Sequence, residues 1–137
     1  MSTDLRIAII SRPDLPIGLL ANTVAAISVG IGAKLPILGN LQLTDTEGRT
    51  IDISSNRPVP ILQAGQEVLS ELLLKALKTN EAAIVPFPAF ARSLHSYADY
   101  EVAFPDKDLS IEPLDGLGLA GPEKWVRSLT GNLKLLR

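Results

Sequence analysis

The sequence predicts an α/β fold, a three-layer α/β/α sandwich on a mixed sheet of about four to six strands. Three observations lead there. The apolar run Leu5–Ser11 passes through a proline-marked turn, residues 12–18, into residues 19–33, which have helical apolar spacing and no charge. A strand feeding a nearly uncharged helix means a sheet with that helix pressed on one face. Residues 66–78 carry a one-sided apolar stripe, and strand-like and helix-like segments alternate along the chain. With 137 residues, a single domain over 1–137 is expected. A chain of this length buries roughly two-thirds of its unfolded surface and needs no covalent staple.

The elements follow in order. The first strand ends near Ser11. Pro16 is tolerated in a first helical turn, and Asp14 is placed to cap that helix. Leu20, Val24, Ile27 and Ile31 form one helix face; Ala21, Ala25, Ser28 and Gly32 form a small-residue face beside it. Two such faces imply two neighbours, the sheet and either another helix or another subunit. Enlarging Ala25 should then overpack the second contact by roughly 1–3 kcal/mol. Residues 41–44 and 49–53 alternate apolar and polar side chains around Asp45-Thr46-Glu47-Gly48, which reads as a hairpin. Residues 59–62 form a short strand that Pro60 either confines to an edge or shortens.

The helix at 66–78 buries Val68, Leu69, Leu72, Leu73, Ala76 and Leu77, with a Glu71–Lys75 pair on its wet face. Residues 82–86 read as a central strand. A third helix covers 89 to about 100, where Pro86 and Pro88 have ended the strand. A last strand over 116–120 leads to a short helix from Pro122 to Ser128, closed by Gly131. Residues 133–137 dock in extended form.

Composition excludes several classes. The chain has no cysteine, so thiol catalysis, disulfides and thiolate metal sites are out, consistent with a reducing cytoplasm. The net charge of −2 gives no basic footprint for nucleic acid, and 4% aromatic residues make a poor base-stacking platform. Asp4 and Arg6 interrupt any signal-peptide pattern. Pro16, Gly18, Asn22, Thr23, Ser28, Gly30 and Gly32 break the longest apolar stretch, which argues against a membrane span. No phosphate loop or metal-ligand cluster is visible, so no metal or cofactor is expected.

Two stretches resemble the peptidyl-tRNA hydrolase II family. At the start, Arg12, Asp14-Leu15, Ile17-Gly18 and Ala25-Ala26 are similar to its Arg-x-Asp-Leu, Met-Gly and Ala-Ala positions. At the end, Gly121-Pro122 and Leu129-Thr130-Gly131-Asn132-Leu133-Lys134-Leu135 are similar to its Gly-Pro and Val-Thr-Gly-His-Leu-Lys-Leu. The middle, residues 87–97, looks closer to an uncharacterised bacterial relative of that fold, a domain of unknown function. The resemblance implies a peptidyl-tRNA hydrolase II-like fold. The family's lysines give way here to Leu19-Leu20-Ala21, and its Asp-Ala-Gly-Arg-Thr loop to Pro86-Phe87-Pro88-Ala89. Its catalytic lysine and aspartate therefore have no counterpart.

Ligands in open α/β sheets sit beyond the carboxyl ends of strands. Two such ends, residues 11–14 and 87–93, are expected to share a crevice holding Arg12, Asp14, Asn22, Thr23, Arg92, Ser93 and His95. His95 is the sole histidine and the natural proton carrier near neutral pH, with Asp99 one turn away to orient it. His95 or Asp14 is the candidate catalytic base, with the helix cap as the competing reading of Asp14. Arg12, Asn22, Thr23, Arg92 and Ser93 are the candidate ligand-binding residues. Arg92, in a first helical turn, opposes the helix dipole, so it is expected to hold an anionic ligand or to pair with Asp14 or Asp99.

The leading expectation is a binding or accessory protein for a small anionic molecule. A hydrolase of an acyl or peptidyl ester is the alternative, and an oligomeric interaction module, most simply a homodimer, is the third.

Overall fold

The computed structural model describes residues 4–94 and 96–137. The chain runs β1 (Leu5–Ser11), α1 (Ile17–Lys34), a 3-10 turn (Pro36–Leu38), β2 (Gln42–Thr44), β3 (Thr50–Asp52) and β4 (Ile61–Gln63). It continues α2 (Gln66–Thr79), β5 (Ala83–Pro88), a 3-10 helix (Ala89–Ser93), α3 (Tyr97–Ala103), a 3-10 turn (Phe104–Asp106), β6 (Leu114–Pro122), α4 (Glu123–Thr130) and β7 (Lys134–Leu135). This is an α/β fold on a mixed five-stranded sheet of order β5-β6-β1-β4-β7, with β2 and β3 in a separate hairpin. β1 and β4 are parallel, and the β1–β6, β5–β6 and β4–β7 pairs are antiparallel.

The alternation of side chains along β1 divides the core. Ile7 and Ile9 pack with Ile27 and Ile31 of α1, while Ala8 and Ile10 pack with Leu69, Leu73, Trp125 and Val126 of α2 and α4. Both faces of β1 are therefore covered, which explains its near-continuous apolar run. The spacing Thr23, Ile27, Ile31 is the buried line of α1. It sits close because β6 presents glycine beneath it. A Cβ at Gly118 would lie 2.2 Å from Ile27 Cγ2, and one at Gly116 would lie 2.9 Å from Thr23 Cγ2.

Trp125 fastens α4 to α2 by donating from Nε1 to Thr79 Oγ1 at 2.9 Å. The hairpin turn is closed by Gly48 at φ 81° and by Asp45 Oδ1, which accepts from the Glu47 and Arg49 amides at 2.9 Å each.

Several expectations need correction. β5 is an edge strand rather than a central one, and it continues through Pro86 and Pro88. An edge strand tolerates proline because its outer N–H has no ladder partner to lose. β4 is not an edge strand, since β1 and β7 pair it on both sides; Pro60 shortens it instead, standing outside Ile61–Gln63 and accepting from the Ile9 amide at 3.1 Å. The third helix does not start at 89. A 3-10 helix occupies Ala89–Ser93 and α3 begins at Tyr97, capped by Ser96 Oγ accepting from the Asp99 amide at 3.2 Å. β6 reaches back to Leu114 and is buried almost throughout.

On α2, Val68 and Leu77 are 44% exposed, outside the stripe assigned to them. Glu71 and Lys75 form no ion pair among the described residues; the i,i+4 pairs are Arg49–Asp45 and Arg127–Glu123. Asp14 does not cap α1, whose N-cap is Pro16 with no side-chain hydrogen bond. Among the described residues the small-residue face of α1 meets no second helix: Ala21, Ala25, Ser28 and Gly32 are exposed, as are Ile17 and Val29. Its 18 residues also reach the length and mean hydropathy, 1.5, of a helix able to cross a membrane, although Thr23, Ile27 and Ile31 lie in the core.

Candidate functional site

The segments leaving β1 and β5 do reach one rim, but not as neighbours. β6 runs between them and antiparallel to both, so Ser11 and Phe87 each sit opposite Gly116. The residue before that glycine, Asp115, thereby stands between the two strand ends. Its side chain is fully buried. The Arg12 amide donates to the Asp115 carbonyl at 3.0 Å. The Asp115 carboxylate accepts two hydrogen bonds from Arg92, one from Nε at 2.6 Å and a shorter one from Nη2. Arg12 Nη1 lies 3.9 Å from the same carboxylate.

Arg12 meanwhile donates to both oxygens of Asp14, from Nε at 3.1 Å and Nη2 at 2.6 Å. That hydrogen bonding, more than any other influence, holds the Asp14 carboxyl below its ordinary value of 3.8. Hydrogen bonding to Asp115 likewise raises Arg92 above its already high value. The rim is thus a chain of two guanidinium and two carboxylate groups whose charges cancel. Arg92 pairs with neither Asp14 nor Asp99, and it lies in a 3-10 helix rather than the first turn of an α-helix.

The other expected residues are scattered. Thr23 is fully buried beside Gly116, and its Oγ1 meets no hydrogen-bond partner among the described residues. Asn22, next to it, is exposed, because a helix turns adjacent residues away from each other. Ser93 is exposed and donates from Oγ to the Phe90 carbonyl at 2.9 Å. His95 lies outside the described residues. Asp115 was missed because the expected strand began one residue later. Its sequence signal was an acid wedged between Leu114 and an apolar run, where a charge needs a partner.

Space for a ligand lies elsewhere. A cleft of about 400 Å³ opens between α1, the α1-facing side of β1 and the loops after α1 and β3. Ile7, Ile9, Ile31, Leu38 and Val59 give it apolar walls, and Ser28, Asn40, Ser54 and Ser55 supply its polar groups; no charged residue lines it. The two loops are lashed together. Asn56 donates from Nδ2 to the Ile37 carbonyl at 2.7 Å and from its amide to the Leu38 carbonyl at 2.8 Å. Ser28 Oγ is turned back to the Val24 carbonyl at 2.8 Å.

A second cavity, of about 430 Å³, adjoins this one at Ile7 and Val59. It is lined by Leu5, Arg6, Arg57, Pro58, Pro60 and Glu123 as well. Neither cavity touches Arg12, Asp14, Asn22, Thr23, Arg92 or Ser93. Among the described residues no group of three or more metal-ligating side chains occurs.

A mixed five-stranded sheet with four helices, carrying an uncharged cleft beside α1, places this chain among small α/β domains. It belongs to the DUF2000 family, described as a protein of unknown function, whose pattern matches residues 5–137. A solved structure of a protein of unknown function from Agrobacterium tumefaciens strain C58 is similar over 98% of both chains, with 22% identity and a TM-score of 0.88. At that identity the likeness concerns the fold. No curated protein matches the chain. Family membership bears out the uncharacterised-domain part of the resemblance, whereas similarity to peptidyl-tRNA hydrolase II does not emerge from these comparisons.

Proposed function

We propose that this protein binds a small, mainly apolar molecule in the cleft between α1, β1 and the two lashed loops. The single observation behind the reading is that uncharged cleft of about 400 Å³. Ligand sites are typically concave, mostly apolar and furnished with a few polar groups, at volumes of about 300–1,000 Å³.

The expected anion at Arg12 and Arg92 is less well supported, since Asp14 and Asp115 already match both cations. Hydrolysis with Asp14 as base is weakened by the same pairing, because a carboxylate with a lowered pKa is a poor proton acceptor. A three-layer, peptidyl-tRNA hydrolase II-like arrangement in a cytoplasmic protein remains part of the proposal. The two core clusters on opposite faces of β1 support its layering.

The test is ligand-observed NMR with 1-octanol. Saturation should transfer to the alcohol in the wild-type protein and disappear in Gly32→Leu. Gly32 lines the cleft and a Cβ there meets nothing within 4 Å, so the larger side chain fills open space without strain. No transfer in the wild type, or equal transfer in both proteins, removes the reading.

A second reading, pairing of two copies through α1, is favoured by the exposure of Ile17 at 86% and Val29 at 73%. Sedimentation should give a dimer that Ala25→Arg dissociates; a monomer in the wild type ends that idea.

A further inference from the structure

The two cavities that meet at Ile7 and Val59 differ in charge, and the difference names a class of ligand. The second cavity carries Arg6 and Arg57. Among the described residues neither has a carboxylate partner, in contrast to Arg12, Arg49, Arg92 and Arg127. Arg57 is held in place by neutral oxygens: Nη1 donates to the Leu5 carbonyl at 3.1 Å and Nε to Asn56 Oδ1 at 2.9 Å. Arg6 Nε is buried and finds no acceptor at all among the described residues. Glu123, the cavity's one acid, is engaged by Arg127 at 2.8 Å.

A buried guanidinium N–H without an acceptor is uncommon in a folded protein. An anionic oxygen is the partner that would satisfy both its hydrogen bond and its charge.

Resting on the cleft-binding reading above, we propose that the ligand is an amphipathic monoanion. Its apolar body lies in the uncharged cleft. Its carboxylate lies in the adjoining cavity, which rounds the edge of β1 that β4 leaves unpaired at residues 5–7; there it meets Arg57 and, on the α4-facing side by strand alternation, Arg6. Asn56 couples the two halves. Its backbone and side chain tie the loop to the 3-10 turn that walls the cleft, and its Oδ1 holds Arg57 beside the second cavity. The head-group end is therefore assembled by one loop, the start of β1 and Glu123, away from the charge-balanced rim at Asp115.

Octanoate and 1-octanol differ only at the head group, so their affinities for the intact chain at neutral pH separate the two claims. Octanoate should bind about tenfold more tightly, the effect of one charge-assisted hydrogen bond or slightly less. The octanoate-to-octanol ratio should fall toward one in Arg6→Gln and in Arg57→Gln, and Arg57→Lys should restore part of it. Arg6→Gln controls for folding, because it breaks no hydrogen bond made by the Arg6 side chain among the described residues. Equal affinities in the wild type, or a preference that survives both substitutions, overturn the anionic subsite and leave cleft binding standing. Binding of neither compound overturns both.

Discussion

Replacing Arg92 by methionine keeps most of the apolar stem and removes the guanidinium that faces Asp115. The Asp115 carboxylate is fully buried, so it would lose its closest counter-charge and two hydrogen bonds together. Breaking a buried ion pair by deleting one member costs about 3–5 kcal/mol. Two features lower that figure here. The Arg92 side chain is 38% exposed, so solvent already screens part of the attraction, and Arg12 Nη1 stays 3.9 Å away.

We therefore expect a loss of about 2 kcal/mol, which for a domain of this size lowers Tm by roughly 6 °C. Urea unfolding should move to lower midpoint with unchanged slope. Asp115→Asn alone should cost less, because the freed Arg92 can turn to water. The double variant should show a coupling of at least about 1 kcal/mol between the two positions. A loss under about 0.5 kcal/mol in Arg92→Met, with no coupling, would refute the view that this pair fastens the 3-10 helix to β6.

Tight packing under α1 and the exposed carboxylates each give a further outcome. Gly118→Ala places a methyl 2.2 Å from Ile27 Cγ2 and 2.8 Å from Ile31 Cδ1. It should destabilise by about 3 kcal/mol, at the upper end of overpacking, and Ile27→Val should recover part of the loss in a thermal melt; an unchanged melt means α1 is not pressed against β6. The second outcome concerns acid. Asp14, Asp45 and Asp108 lie below their ordinary value of 3.8, chiefly through hydrogen bonds from Arg12, Arg49 and Ser110 respectively. Depressed carboxyls contribute stability that is present above the unfolded value and lost as pH falls through the folded one. Urea midpoints should hold steady above pH 5 and drop below about pH 4, less steeply in Asp45→Asn; a midpoint that does not fall on acidification contradicts these contacts.

Local pattern was enough for much of this chain. The Leu5–Ser11 run, the Leu69, Leu72, Leu73 and Ala76 stripe of α2, the Asp45–Gly48 turn and the short helix after Pro122 are legible because each depends on residues a few positions apart. Sequence also placed Arg12 and Arg92 on one rim, from the rule that strand ends gather ligands and charges.

Other features depend on partners far along the chain. β5 reads as central from Ala83-Ile84-Val85, yet its place at the edge is decided by β6, thirty residues later, which takes the position between β5 and β1. Asp115 looks like a loop acid until pairing with Ser11 and Pro88 sinks the start of β6 between them. Thr23 stands one turn before Ile27 on the buried line, but only Gly116 of β6 makes room for its hydroxyl-bearing side chain there. The cleft and its neighbouring arginines belong to this second kind. Their walls come from β1, α1 and two loops that touch only in the folded chain, so no periodicity within any one segment records them.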